Sequence, residues 1–176
     1  DLLYRSGTTE VGKNSSWRAI QNYLKTHDPS LPETYLYLAE RIDLDSIIDF
    51  KISQAFTANY DIHNVRFYRS SETDGKWRWL MYDQDYAFIT KEEAVNHSLQ
   101  DADAKATNEL IRALLMHEDF RKRYLQRWAD LLQNGYSTKT VTEAIDRMEV
   151  LLKDEMQRDN ERWGVEQKQW ASMVNY

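Results

Sequence analysis

The chain contains no cysteine. Disulfides, thiolate catalysis and cysteine-ligated zinc or iron–sulfur centres are excluded together. Helix breakers are scarce: five glycines and two prolines in 176 residues, which favours helices. No apolar run approaches the roughly 20 residues that a membrane-spanning helix requires. No basic block occurs, and 23 Lys and Arg against 29 Asp and Glu leave a formal charge of −6. Contact with a phosphate backbone needs a positive surface, so a general nucleic-acid partner is disfavoured. Familiar nucleotide loops are missing too. Residues 7–13 hold two glycines and a lysine, but Asn14 follows Lys13 where a Walker loop requires Ser or Thr, and the glycine spacing differs. Neither His-Arg-Asp nor Asp-Phe-Gly is present.

What is present is a globular composition rich in aromatic residues, with 6 Trp, 11 Tyr and 5 Phe. Leu2, Leu3 and Tyr4 read as a short strand. Residues 7–16 are polar and rich in turn formers. Ser15 or Ser16 is placed to cap a helix running to Thr26, with Trp17, Ile20, Tyr23 and Leu24 on one stripe. Pro32 opens a short helix containing Tyr35, Leu36 and Ala39. Asp43 caps the next, where Ile47, Ile48, Phe50, Ile52, Ala55 and Phe56 make more than one face apolar. It is expected to be the most buried helix. Residues 65–69 and 76–82 are aromatic-rich and alternate in part, and Asp74-Gly75 lies between them, so they read as a hairpin. Beyond Lys91 the pattern returns to helix, clearest over residues 109–116, 117–133 and 141–163. Thr140 with Glu143 forms a candidate capping box. Residues 101–106 read as a loop, and the tail from Glu166 as a further short helix. The expected class is α+β: a mainly helical lobe with an embedded aromatic β-hairpin, in one domain.

The residues able to carry chemistry flank that hairpin. Asp61 lies just beyond the buried helix, with Asn59 and His63 beside it. Asp83 and Asp85 lie just beyond the second strand. If Asp83-Gln84-Asp85 is extended, both carboxylates point to one side, about 7 Å apart. A hairpin with its ends close together brings Asn64 near them. Three carboxylates and an amide oxygen suit magnesium or manganese rather than a soft metal. These residue types serve phosphoryl transfer, metal-assisted phosphate-ester hydrolysis or glycoside hydrolysis alike. A structural reading competes: Asp-X-Asp after a strand is often a turn or helix cap, and Asn59 could close a helix. His63 is expected to brace the loop, and His27, His97 and His117 to be caps or surface residues. Trp77 and Trp79, alternating with Lys76 and Arg78, could stack bases or sugars, but packing against the helices is the simpler role. Arg66, Arg69 and Arg78 are candidate phosphate clamps or residues of a solvated face, and Lys122, Arg123 and Arg127 a solvated helix face.

In order, Asn59-Tyr60-Asp61, Asn64, the aromatic strand 65–69, Gly75-Lys76-Trp77 and the segment Tyr82-Asp83-Gln84-Asp85-Tyr86-Ala87-Phe88 resemble the spore coat protein H (CotH) kinase family. The resemblance is strong over about a quarter of the chain, residues 47–88. It implies an atypical protein kinase-like fold and phosphate transfer from ATP to protein Ser or Thr, with Mg2+ or Mn2+. It further implies that Asp61 orients the acceptor hydroxyl, that Asn64 and Asp83 hold metal, and that Asp85 is their partner in metal binding or support. Many relatives space the Asp and Asn more widely than Ile62-His63 does here. Family members include exported and spore-coat proteins. A kinase of this kind also needs a lobe carrying a phosphate-contacting Lys, and only 58 residues precede Asn59. The chain is therefore expected to be the C-terminal lobe portion of a larger domain, partnered by an N-terminal lobe. Two other readings accompany this one: an inactive surface or coat interaction module, and a carbohydrate-active module.

Overall fold

The computed structural model describes residues 1–4, 7–59, 61, 64–89, 95–100 and 105–164. The chain divides into two compact units, Asp1–Trp128 and Ala129–Tyr176. In the first, a four-stranded antiparallel sheet is built from β1 (Leu2–Tyr4), β2 (Thr8–Val11), β3 (Arg66–Tyr68) and β4 (Arg78–Leu80), in the order β2-β1-β3-β4. The helices are α1 (Ser15–Thr26), α2 (Pro32–Ala39), α3 (Leu44–Phe56), α4 (Val95–Gln100), α5 (Lys105–Leu115) and α6 (Glu118–Gln133), the last running across the division. The second unit holds α7 (Thr138–Trp163). The mainly helical α+β reading holds.

The register explains the core. Leu3 pairs with Phe67, which pairs with Trp79. Side chains in register share a face, and all three are buried. Trp17, from α1, meets that row with ring centroids 4.5 Å from Phe67, 5.8 Å from Trp77 and 6.1 Å from Trp79. Edge and tilted contacts of this kind add about 0.5–1.5 kcal/mol each to the burial of the rings. Trp77 and Trp79 are thus core residues, as the packing reading expects, and neither forms an exposed stacking platform. Gly7 is needed here: its φ is +114°, and a Cβ would stand 2.6 Å from Trp17 Cδ1.

Helix α3 is the buried centre of the unit, with eight buried residues. Its start is stitched to β4. Asp43 caps it, accepting from Ser46 N at 3.1 Å, while Asp43 N donates to Trp77 O and Trp79 N donates to Ser46 Oγ. Its end meets the chain again where Phe88 N donates to Thr57 O at 2.6 Å. Helix α3 and residues 77–88 therefore lie side by side, fastened at both ends. Arg123 and Arg127 of α6 pair with Asp45 and Asp49 of α3, so these two do more than solvate a helix face.

Several local expectations are corrected. Residues 8–11 form β2 rather than a turn; all four are exposed, and Thr8, Thr9 and Val11 pair with β1 around an irregularity at Glu10, so no apolar alternation announces the strand. The cap position of α1 belongs to Asn14, not to a serine, and makes no side-chain cap bond; its amide donates to Gly7 O instead. Helix α7 begins three residues before Val141, and its cap is Ser137, which accepts from Thr140 N at 3.2 Å. That bond replaces the Thr140–Glu143 box. Helix α5 starts at Lys105, inside the expected loop. The rest of that loop, residues 101–104, lies outside the described residues, as do His63 and the tail from Glu166.

Candidate metal and phosphoryl-transfer site

The hairpin β3–β4 has its strand ends beside the C-terminus of α3, and this junction gathers the carboxylates. Helix α3 ends in a Schellman motif: Asn59 N donates to Gln54 O and Ala58 N to Ala55 O. The left-handed position is filled by Ala58, with φ +47°, where glycine is the usual occupant. Asn59 follows, buried, and its Oδ1 accepts from Asp61 N at 3.1 Å. Asn59 is thus a brace for the Asp61 backbone, close to the helix-closing role considered for it.

Asp83 has φ +52°. The Asp83-Gln84-Asp85 run is therefore not extended, and the 7 Å separation of the extended case does not apply. Instead the chain turns, with Ala87 N donating to Gln84 O. One oxygen each from Asp61, Asp83 and Asp85 lies within 4.8 Å of the others. Asn64 joins them, its Nδ2 donating to Asp61 Oδ2 at 2.7 Å and to Asp83 Oδ2 at 2.6 Å. All four sequence-expected site residues come together.

Crowded carboxylates resist ionisation. Partial desolvation, then the charge of Asp85 and a shared hydrogen bond with it, then the charge of Asp61, push the Asp83 carboxyl above its ordinary range. Arg66 opposes this. Its guanidinium lies 3.5 Å over the Tyr82 ring and bonds Glu10 at 3.1 Å. Arg69 pairs with Asp1, and Arg78 with Asp43 and Asp74, so each candidate clamp already holds a carboxylate.

The donor set fits a hard divalent cation. Three carboxylate oxygens can meet at one point, and the Asn64 amide already sits between two of them as a partial positive charge. Turned over, that amide would offer its oxygen. Non-glycine residues with positive φ are, among the described residues, Ala58, Asp83 and Phe88 (φ +61°). Asp83 belongs to this cluster, Ala58 precedes Asp61 by three residues and Phe88 follows Asp85 by three, and such backbone strain collects at functional sites.

Two polar residues on the buried helix escaped the sequence reading. Lys51 is buried, with Nζ donating to Ser98 O at 2.6 Å and to Asn108 Oδ1; it joins α3 to α4 and α5. Gln54 is buried too, and its Nε2 donates to Gln84 Oε1 at 3.3 Å. The available signal was a polar side chain on a helix apolar on more than one face.

The sequence profile of the family described as CotH kinase protein matches residues 3–176. The chain belongs to the CotH kinase protein family. That membership carries a kinase-like role in general. No curated protein matches the chain, and no solved structure does. Among the described residues no helix is long and apolar enough to cross a membrane.

Proposed function

We propose that the chain carries the catalytic and metal-binding part of an ATP-dependent protein Ser/Thr kinase. The observation behind this reading is the convergence of Asp61, Asp83 and Asp85 within 4.8 Å, bridged by Asn64, in a member of a kinase family. Asp61, Asn64, Asp83 and Asp85 hold distinct parts of the job. Asp83 and Asp85, with the Asn64 oxygen once its amide is turned over, would hold Mg2+ or Mn2+, which when bound would neutralise charge on the phosphates of ATP. Asp61 orients the acceptor hydroxyl and takes its proton. The hydroxyl oxygen then bonds to the γ-phosphorus, the β–γ bridging P–O bond breaks, and ADP leaves. The backbone of Asp61 is held for this by Asn59.

Family association favours an exported, cell-surface or spore-coat setting, which cell fractionation tests. The experiment for the activity is transfer of labelled γ-phosphate from ATP, with Mg2+ or Mn2+, by the full-length parent protein and its Asp61→Asn and Asp83→Asn variants. Incorporation at Ser or Thr, lost in both, is the expected result. Unchanged incorporation in either variant overturns the assignment of that residue. Absence of both incorporation and nucleotide binding in the parent overturns the kinase reading and leaves an interaction module.

A further inference from the structure

Asp61 and the Asp83–Asp85 pair arrive from different parts of the chain, 22 residues apart from Asp61 to Asp83. Something must fix one relative to the other, and the backbone between them passes through a whole hairpin. Gln54 reaches both. Its backbone carbonyl accepts from Asn59 N at 3.2 Å, and Asn59 Oδ1 accepts from Asp61 N. Its side-chain Nε2 donates to Oε1 of Gln84, the residue between Asp83 and Asp85. The amide orientations are set by chemistry. Gln84 Nε2 donates to Tyr82 O at 2.8 Å, a carbonyl that can only accept. Gln84 Oε1 must then face Gln54, and Gln54 must donate. Its own Oε1 is consequently turned into the protein, buried and with no partner among the described residues. A side chain chosen for packing alone would not carry that unsatisfied oxygen. The neighbouring contacts on α3 serve other ends: Ser46 and Asp43 secure β4 at the far end, and Lys51 faces α4 and α5.

We infer that Gln54 is a positioning residue that locks the two carboxylate-bearing segments into one cation site. The inference rests on the metal-site reading above. It acts on geometry alone, since Gln54 is buried in α3 and touches the site through Gln84 and Asn59. The Gln54–Gln84 bond and the Gln84–Tyr82 bond form a relay from helix to turn; Gln54→Met breaks the first and Gln84→Met breaks both.

The test uses the full chain and Mn2+ alone, titrated by electron paramagnetic resonance, in wild type, Gln54→Met, Gln84→Met and the double variant, with Asp83→Asn as the control. Methionine keeps length and volume while removing the amide, and in Gln54→Met it also removes the unsatisfied oxygen. Each single variant is expected to bind Mn2+ about tenfold more weakly, the scale of a lost supporting hydrogen bond in metal sites. The double variant should be no weaker than Gln84→Met, which alone already breaks both bonds of the relay. Thermal unfolding of metal-free Gln54→Met should be unchanged or raised, a split that a packing role would not give. Should Gln54→Met fold poorly, the half-buried Gln84→Met reports on the same bond. Wild-type affinity in the folded single variants, or multiplied losses in the double, overturns the inference while leaving the metal site standing. No Mn2+ binding in wild type overturns the metal-site reading and the inference with it.

Discussion

The two ends of the β3–β4 hairpin use the same residue type in opposite ways. At the turn end, Asp74 accepts two bonds from Arg78 at 2.8 Å and one from Lys76 N at 3.1 Å. Those bonds, the side-chain pair first, lower its carboxyl to about 2. The turn's left-handed residue is Gly75, φ +71°, with open space where a Cβ would be. At the strand-end side, Asp83 faces Asp85 and Asp61 and is pushed upward. There the left-handed positions are held by alanine, aspartate and phenylalanine. One end is arranged for its own stability. The other accumulates like charge and backbone strain, a pattern that makes sense where a cation and a charged substrate complete the arrangement. Both ends rest on one aromatic core.

The largest effect should come from removing that shared base. Trp17→Ala is expected to lower unfolding free energy by about 3–5 kcal/mol, read from denaturant curves. Both ends should lose order together; survival of either end alone would break the comparison at its root. A smaller, signed pair sharpens it. Ala58→Gly relieves a left-handed alanine and should stabilise by about 1 kcal/mol, whereas Gly75→Ala imposes one and should destabilise by about 1 kcal/mol. Equal signs would mean the two ends are not differently strained. The mildest probe is titration by carbon-detected NMR. Asp74 should titrate at about 2 and Asp83 above the ordinary aspartate range. The consequences for stability are opposite. The depressed Asp74 contributes stability above its unfolded value, lost as pH falls towards 2. The raised Asp83 contributes stability at low pH that is withdrawn as pH climbs through its folded value. Asp83 titrating below Asp74 would erase the electrostatic contrast.

How much of this was legible in the sequence follows from which residues carry a local signal. The hairpin was legible because Phe67 and Trp79 alternate with polar neighbours and Asp74-Gly75 marks the turn. The cap Asp43 and the buried α3 were legible from their pattern. The proximity of Asp61, Asn64, Asp83 and Asp85 was legible because they bracket two strands that had to meet. Its shape was not. Asp83 turns left-handed, a conformation the Asp-X-Asp string does not specify, and the carboxylates close up as a result. Strand β2 was hidden because Thr8, Thr9, Glu10 and Val11 are all exposed, and the strand is joined to β1 through the backbone of Thr8, Thr9 and Val11. Gln54 and Lys51 were hidden because helical spacing puts them inside and residue type argues for outside; only the partners Gln84, Ser98 and Asn108 resolve the conflict.

The most direct measurement is a Mn2+ titration of the full chain followed by amide NMR, using the ion's short-range paramagnetic broadening. Selective loss of the Asp61, Asn64, Asp83 and Asp85 signals, with residues 70–75 sharp throughout and the effect absent in Asp83→Asn, is the predicted result. Broadening at both ends of the hairpin, or at neither, would contradict the assignment of the strand-end carboxylates as a cation site.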